Sequence, residues 1–449
     1  MSHLVGFLRG SWRLRKLGSE LFWIGIGQTA VVAGSLVGVR LLTEALPPAA
    51  YGELALAMTI MTMANYLVMG PLANASLRFF ASARESGQLR SFLRATQSLL
   101  VQSTGVMAVL AASSIVLLLF FGRSSWIGLI IPAFLFALVS GYGATLDGLQ
   151  NAARQRVVVS WHSGLGTWLR FLAAVALVRL FYPSSQMAMV GYLVASVVVF
   201  TSQLWFFRRL ILSILQIQRA TQSGDEPLWK GQLLGYAWPF VTWGVFTTLQ
   251  VTSDRWALQA FGSTQDVGLY AVLYQVGYLP MSLLAGLLAQ LVTPILFGRV
   301  GDGTNLARIS KAHQLNHVLT VGTFVFMLLL TGLAFLMHSK FFEILVSDRY
   351  TVVSPLLPLM VLASGLYATG QMATNSLMMR NKTQALIAPK IGTALFGVAA
   401  NLAGARWFGL LGVVLAGVAF GGLYLAWTAL VVFAYRTDHP SDTGVFKAS

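Results

Sequence analysis

The chain contains no cysteine and few charged residues, and each shortage excludes a class of protein. Without cysteine among its 449 residues, it cannot form disulfide bonds, cysteine-ligated metal sites or a thiol nucleophile. Charged residues make up only 10% of the chain and hydrophobic residues 56%, whereas a soluble globular domain carries about 25% charged residues. The composition therefore excludes a soluble globular protein and indicates that most of the chain lies in a membrane.

Long apolar runs account for the hydrophobic excess. A helix needs about 20 apolar residues to cross the hydrocarbon core of a bilayer, and twelve runs are long enough. They lie at about residues 21–42, 51–77, 96–121, 126–147, 157–181, 187–207, 232–261, 267–297, 315–337, 355–379, 386–405 and 410–434. The sequence therefore predicts an all-α polytopic membrane protein with twelve transmembrane helices.

Basic residues are unevenly distributed between the two sides of these spans. Of the 30 Lys and Arg residues, 22 fall on the side that holds both termini, four on the opposite side and four inside the spans. Because Lys and Arg in short loops near the spans favour the cytoplasm, both termini are expected to be cytoplasmic. The same bias accounts for the net charge of +16, so no nucleic-acid partner is expected.

Two similar halves lie on either side of a polar connection. Residues 208–231 contain the polar run from Ala220 to Pro227 and separate six spans from six. Arg40 near the end of span 1 and Gly52 beyond it align with Arg255 near the end of span 7 and Gly268 beyond it when one residue is inserted. A six-span repeat in the same orientation is typical of transporters with a cleft between two lobes.

These features predict five segments along the chain. Residues 1–20 are expected to form either an amphipathic helix on the cytoplasmic leaflet or an unstructured basic tail. The others are a six-helix lobe at 21–207, a cytoplasmic linker at 208–231, a second six-helix lobe at 232–434 and a cytoplasmic tail at 435–449.

Four arginines lie inside the predicted spans, where a cation at the bilayer centre costs about 2.5–3.5 kcal/mol. Arg170 is near the middle of span 5, so it is expected either to line the cleft or to pair with an acid. Arg40, Arg179 and Arg255 are nearer the outer ends of their spans. Their long side chains could reach the interface from there, and this alternative stays open for each of them.

Span 7 has a polar face in addition to its charge. Thr247, Gln250 and Asp254 share one helical stripe, which is expected to face the cleft because lipid cannot satisfy polar groups. The alternative is hydrogen bonding to a packed neighbour. Asp254 is the acid that lies clearly inside a span, and its expected partner is Arg40 or Arg170. It could instead bind a proton or a sodium ion.

Weaker signals occur elsewhere in the chain. Arg78 is predicted at the cytoplasmic mouth of span 2, either meeting an entering anion or acting as an ordinary topological cation. Three tyrosines recur every fourth residue on span 8, at Tyr270, Tyr274 and Tyr278. They could stack on sugar rings, although such a stripe more often serves packing. His313 and His317 have no third ligand nearby, and no metal or cofactor is expected.

Several motifs occur in an order that resembles the oligosaccharide flippase, or polysaccharide biosynthesis protein, family. They lie at Arg40–Gly52, Gly70–Phe79, Ser253–Arg255, Val267–Tyr270, Arg349–Tyr350, Pro355–Pro358, Asn381–Thr383 and Gly409–Ala416. Each motif is weak alone, but the ordered set extends over most of the chain. The resemblance implies a fold like that of multidrug and toxin extrusion (MATE) transporters, with two pseudo-symmetric six-helix bundles.

The resemblance also implies a function without enzymatic chemistry. A flippase of this family moves a polyprenyl-pyrophosphate-linked glycan from the inner to the outer leaflet of the bacterial cytoplasmic membrane. Its partners would be membrane lipids, a polysaccharide polymerase and glycosyltransferases. The expected substrate-binding residues are Arg170, Arg40, Arg78, Arg255, Gln250 and Thr247, with Asp254 as a charge pair or ion-coupling residue.

Two other functions remain as alternatives. A multidrug cation antiporter of the same superfamily would be expected to carry acids in its first lobe, and none lies between Leu21 and Val39. A membrane glycan polymerase or ligase would need a large external catalytic loop. The longest external loop predicted, at His338–Ser354, has a single Glu and a single Asp.

Overall fold

The computed structural model describes residues 2–217, 226–300, 306–379 and 382–437, which are almost entirely helical and contain no β-strand. The α-helices of these residues are α1 (Ser2–Ala45), α2 (Pro48–Ala64), α3 (Gly70–Glu85), α4 (Leu89–Phe120), α5 (Ile127–Ala152), α6 (Arg156–Leu180), α7 (Ser185–Ile217), α8 (Glu226–Phe261), α9 (Thr264–Leu273), α10 (Leu279–Val300), α11 (Leu306–Leu345), α12 (Leu357–Met378) and α13 (Ile387–Thr437). The predicted all-α class is confirmed.

Ten helical stretches of the described residues are long and apolar enough to cross a membrane, against the twelve predicted. One of the ten, Gln384–Tyr435, contains both predicted spans at 386–405 and 410–434. Another predicted span, at 232–261, coincides with α8, which is not among the ten. Polar residues along α8 lower its mean hydropathy. The polytopic architecture is confirmed, and the count of twelve stays a prediction.

The long helix α13 is a hairpin of two arms. Its backbone breaks at Gly409, where φ is 57° and ψ is −135°, a conformation that side chains with a Cβ strongly disfavour. Gly404 and Gly412 lie close on either side of the break, and Gly392 faces the ring of Trp427 farther along the arms. The chain therefore reverses at Gly409, and each arm holds one predicted span.

The N-terminal segment is helical from residue 2. The helix α1 begins at Ser2 and continues without a break to Ala45, so the helical alternative for residues 1–20 matches the structure and the unstructured one does not. The location of this segment on a membrane surface stays a prediction.

The chain divides into two compact units. Unit 1 comprises Met1–Thr252 with Leu345–Arg349, and unit 2 comprises Ser253–Ile344 with Tyr350–Ser449. The boundary lies inside α8. The predicted segment bounds stay predictions, and residues 218–225 of the linker and 438–449 of the tail lie outside the described residues.

Small residues allow close helix packing in unit 1. A Cβ atom on Gly34 would lie 2.9 Å from the ring of Trp168 on α6, and Gly38 faces the ring of Phe171 in the same way. The indole of Trp168 also donates a hydrogen bond to the carbonyl of Ala30 at 3.0 Å. The contact between α1 and α6 places the middle of α6, including Arg170, in the interior of unit 1.

Among the described residues, each unit contains one π-helical turn. Asn65–Met69 joins α2 to α3 in unit 1, and Tyr274–Tyr278 joins α9 to α10 in unit 2. Such turns insert one extra residue into a helix and occur often at functional sites. In unit 2 the turn packs on α12, where a Cβ on Gly277 would lie 3.0–3.1 Å from Leu357 and Met360.

Candidate functional site

Arg170 lies in a polar cavity inside unit 1. The cavity has a volume of about 340 Å³ and is formed by residues of α1, α2, α5, α6 and α7. Besides Arg170, its polar side chains include Gln28, Ser140, Asp147, His162, Ser196 and Gln203. The structure therefore places Arg170 at a polar space large enough for several water molecules.

Among the described residues, the hydrogen bonds of the Arg170 guanidinium group go to its own helix. Its Nε donates to the carbonyl of Gly166 at 3.1 Å and a terminal nitrogen donates to the hydroxyl of Thr167 at 3.4 Å. No carboxylate of the described residues lies within ion-pair distance of Arg170. The alternative of a structural pair with an acid is therefore wrong, and its charge is available to an anion in the cavity.

Asp147 is a site residue that the sequence analysis missed. Its Oδ1 accepts a hydrogen bond from Gln203 Nε2 at 2.5 Å, and the same nitrogen donates to Gln150 Oε1 at 3.0 Å. Gln150 and Gln203 are buried. The signal that could have found this cluster is an acid and a glutamine three residues apart near the end of span 4, with a glutamine inside span 6.

His162 lines the same cavity on α6. Its Nδ1 donates to the carbonyl of Val158 at 2.7 Å, and its Nε2 lies 3.1 Å from the hydroxyl of Ser202 on α7. The cavity thus contains a fixed cation, a carboxylate and an imidazole, which are able to hold an anion and to exchange protons.

The polar face of α8 is buried and its apolar face is exposed. Thr248 and Thr252 are buried, whereas Val245 and Leu249 are 42% and 46% exposed. Thr247 and Gln250 are half-buried. Burial therefore differs between these positions of α8, and the direction of the polar face towards a cleft stays a prediction.

Asp254 is paired with its neighbour Arg255. A terminal nitrogen of Arg255 lies 3.3 Å from Asp254 Oδ1, and the side chains are only 14% and 9% exposed. The hydroxyl of Tyr270 donates to the second carboxylate oxygen at 2.7 Å. The expectation that Asp254 pairs with Arg40 or Arg170 is wrong, because the hydroxyl of Tyr270 on α9 and the adjacent Arg255 satisfy this carboxylate within unit 2.

The predicted tyrosine stripe surrounds Arg255. The guanidinium carbon lies 4.6 Å from the ring centre of Tyr274 and 5.9 Å from that of Tyr270. Tyr274 and Tyr278 stack nearly in parallel, with ring centres 4.7 Å apart and an angle of 14°. Both rings are half-buried, whereas Tyr270 is buried.

The remaining predicted arginines lie elsewhere. Arg40 pairs with Glu44 at 2.7 Å and donates to the carbonyl of Val346, and Arg179 approaches the same glutamate at 3.8 Å. Arg78 is exposed on α3. Neither Arg40 nor Arg78 is among the described residues that line the Arg170 cavity. The predicted site residues Arg40, Arg78, Arg170, Thr247 and Gln250 belong to unit 1, and Asp254 and Arg255 to unit 2.

The chain is similar to one protein family in sequence and to several transporters in fold. The family model described as polysaccharide biosynthesis protein matches residues 17–298. A comparison with curated protein sequences finds no match. Among solved structures, the lipid II flippase MurJ in an inward closed conformation has a TM-score of 0.65 and 13% identity, covering 93% of this chain and 87% of that one.

Two MATE structures match over similar lengths. A mutant of the Vibrio cholerae MATE transporter VcmN has a TM-score of 0.60 and 14% identity, covering 95% of this chain and 97% of that one. An inward-facing multidrug resistance MATE transporter has a TM-score of 0.61 and 12% identity, with coverages of 93% and 96%. The expected MATE-like fold is thereby confirmed.

Proposed function

Because the chain belongs to the polysaccharide biosynthesis protein family, we propose that it is a flippase for a polyprenyl-pyrophosphate-linked oligosaccharide. It transfers this lipid from the cytoplasmic to the outer leaflet of the bacterial inner membrane without chemical change, for assembly of a cell-surface or exported polysaccharide. The observation that carries the proposal is Arg170, a cation without a carboxylate partner among the described residues, facing a polar cavity.

A pyrophosphate group has to lose much of its hydration when it leaves the headgroup region. A guanidinium group replaces lost water well, because its planar fork donates two parallel hydrogen bonds to phosphate oxygens. Its attraction for an anion is stronger in a cavity inside the protein than in bulk water. Gly166 and Thr167 already hold the Arg170 side chain through hydrogen bonds. The side chain therefore loses little further conformational freedom when it binds the anion.

The proposal is tested in proteoliposomes that contain a labelled polyprenyl-pyrophosphate-linked oligosaccharide. The purified protein should transfer the lipid between leaflets, measured as the labelled glycan that becomes accessible to an impermeant reagent. Arg170→Ala should slow transfer about 10- to 100-fold, because loss of a charged hydrogen-bond donor costs about 1.5–3 kcal/mol. Arg170→Lys should retain part of the rate, since it keeps the charge and loses the fork.

A matched control is Arg209→Ala, because Arg209 is exposed and its guanidinium stacks on Trp205 at 3.7 Å. This variant should transfer lipid at the normal rate. Normal transfer by Arg170→Ala at equal protein levels would contradict the role of Arg170, and absence of transfer by the unchanged protein would contradict the flippase function.

A second candidate function, a multidrug cation antiporter, gains support from Asp147. The absence of acids from span 1 argued against it, but Asp147 on α5 lines the Arg170 cavity. An acid in a polar cavity could exchange a proton for an organic cation. In the same vesicles a proton gradient should then drive the transport of a cationic dye, and Asp147→Asn should abolish this transport. A flippase without antiport activity would transport no dye.

A further inference from the structure

We propose that the half-buried tyrosines of unit 2, Tyr274 and Tyr278, form a binding site for an uncharged sugar ring. This inference rests on the flippase function and assigns the glycan part of the substrate to groups other than Arg170. Four observations support it: the fixed π-helical turn, the ring geometry, the compensated charge and an unpartnered hydroxyl group.

The π-helical turn holds the two rings in a fixed position. The amide of Leu279 donates to the carbonyl of Tyr274, which closes the wide turn. The carbonyl of Tyr278 accepts a hydrogen bond from the hydroxyl of Ser364 on α12 at 3.1 Å. Together with the close packing of Gly277 on Met360, these contacts attach the turn to α12, so the rings are positioned before a ligand binds.

The rings present the kind of surface that a sugar ring fits. Tyr274 and Tyr278 lie almost parallel, at 14° with ring centres 4.7 Å apart, so the pair forms an offset stack whose half-buried rings give a flat aromatic surface. The C–H groups on one side of a pyranose ring form an apolar plate of similar size to a phenol ring. A flat aromatic surface with polar groups at its edge is therefore complementary to an uncharged sugar.

The charge next to the rings is compensated. Arg255 lies over Tyr274 and is paired with Asp254 at 3.3 Å. The pair is neutral overall, in contrast to Arg170, which has no carboxylate partner among the described residues. A neutral polar group favours hydroxyl-bearing ligands over a pyrophosphate, because an anion would have to compete with the carboxylate of Asp254.

One hydroxyl group of the stack has no hydrogen-bond partner in the part of the chain that the structure describes. Among the described residues, no hydrogen bond involves the phenol hydroxyl of Tyr278. Tyr278 lies in the candidate span Thr264–Leu288, where lipid offers no hydrogen-bond partner. A half-buried phenol in that position gains a partner when a sugar hydroxyl or a water molecule binds beside the stack.

A second aromatic group, between α12 and α13, adds polar atoms within the same unit. Gln371 donates to the hydroxyl of Tyr367 at 2.9 Å and accepts from that of Tyr424 at 2.8 Å. The rings of Tyr367 and Tyr424 are 4.9 Å apart. Tyr367 and Gln371 are on α12, the helix that holds the π-helical turn through Ser364, and Tyr424 is on α13. Unit 2 therefore combines ring faces, hydroxyl groups and an amide, as sugar recognition requires.

The test compares two lipids on the detergent-solubilised full chain. One is bare undecaprenyl pyrophosphate, and the other is the lipid-linked glycan extracted from the native cells. The unchanged protein should bind both, with the glycan adding about tenfold in affinity, the amount expected of ring stacking. Tyr274→Leu and Tyr278→Leu should remove most of this gain while leaving the affinity for the bare lipid unchanged.

Two further variants separate recognition from folding. Tyr278→Phe keeps the ring and removes the hydroxyl group, so it should lose a smaller part of the gain even if Tyr278→Leu fails to fold. Tyr182→Leu, which alters an exposed tyrosine outside the helices of unit 1, should change neither affinity. Melting temperatures of all variants report on folding independently of binding.

The outcomes separate the two proposals. If the unchanged protein binds the bare lipid and the tyrosine variants keep the whole gain from the glycan, the sugar site is contradicted and the flippase function stands. A glycan that adds no affinity to the unchanged protein also contradicts the sugar site. If the unchanged protein binds neither lipid, the proposed function itself fails.

Discussion

At the scale of single residues, Asp254 and Arg255 form an ion pair between neighbours on one helix. Side chains of adjacent helical residues point in directions about 100° apart, so the sequence favours more distant partners. The structure shows why the pair forms. The backbone amide of Arg255 donates to Asp254 Oδ1 at 2.7 Å, and Tyr270 holds the other oxygen. The carboxylate is thereby fixed beside the guanidinium group.

Replacing Asp254 should destabilise unit 2 through the charge that remains. Asp254→Asn removes the carboxylate that pairs with Arg255, whose side chain is 14% exposed, and removing one partner of a buried pair costs about 3–5 kcal/mol. The double variant Asp254→Asn with Arg255→Gln should recover most of the thermal stability in detergent. The melting temperatures of the single and double variants measure this coupling.

An exposed ion pair provides the control for this prediction. Lys340 and Glu343 lie 3.0 Å apart with side chains 70% and 65% exposed, and such pairs contribute about 0–1 kcal/mol. Glu343→Gln should therefore change the melting temperature little. A double variant at Asp254 and Arg255 that is no more stable than Asp254→Asn would show that the pair does not stabilise the fold.

At the scale of helices, α8 should be accessible to water along its polar face during transport. In the structure Thr247 and Gln250 are half-buried, and Val245 and Leu249 on the other face are 42% and 46% exposed. If the exposed face meets lipid, a polar, impermeant thiol reagent should react with cysteines at Thr247 and Gln250 and leave those at Val245 and Leu249 unmodified. The absence of native cysteine makes the background silent.

The labelling pattern distinguishes two accounts of α8. If the reagent instead labels cysteines in proportion to the exposed fraction of each side chain, those at Val245 and Leu249 react first. That result would mean that the apolar face of α8 meets water. Addition of the lipid-linked glycan should protect Thr247 and Gln250 from the reagent if the polar face lies on the substrate's path. Equal labelling of all four positions would contradict the separation into a lipid face and a water face.

The sequence predicts the helices well because hydropathy and length depend on local composition. It also singles out Arg170, which lines a polar cavity of unit 1, while its predicted place in a cleft between lobes stays a prediction. It does not predict the π-helical turn at Tyr274–Tyr278, which depends on packing against α12. Asp147 was overlooked for a similar reason. Its place near the end of a span suggests contact with water, and only the packing of α5 against α7 brings Gln203 to its carboxylate.

At the scale of the whole molecule, the number of crossings determines the sides of the membrane on which the termini lie. The stretch Gln384–Tyr435 has 52 residues, about 78 Å of helix at 1.5 Å per residue. Since a bilayer core is about 30 Å thick, the stretch is long enough to cross twice, with the reversal at Gly409. The helix α8 has 36 residues, about 54 Å, and is long enough to cross despite its polar face. With α8 counted, the described helices are long enough for the predicted twelve crossings, and the count stays a prediction.

Reporter fusions test this topology directly. We expect a fluorescent protein, which matures in the cytoplasm, to be active in the linker at 218–225 and after Thr437. Alkaline phosphatase, which is active only outside the cytoplasm, should be active at Gly409. The basic residues favour this arrangement, because Arg406 is one of only four on the predicted outer side and 22 lie on the inner side.

If α8 lay along the membrane without crossing, every segment after it would change sides. Phosphatase would then be inactive at Gly409 and active after Thr437. The fusion at Gly409 therefore decides between twelve crossings and eleven, and with them the side on which the second half of the chain meets its substrate.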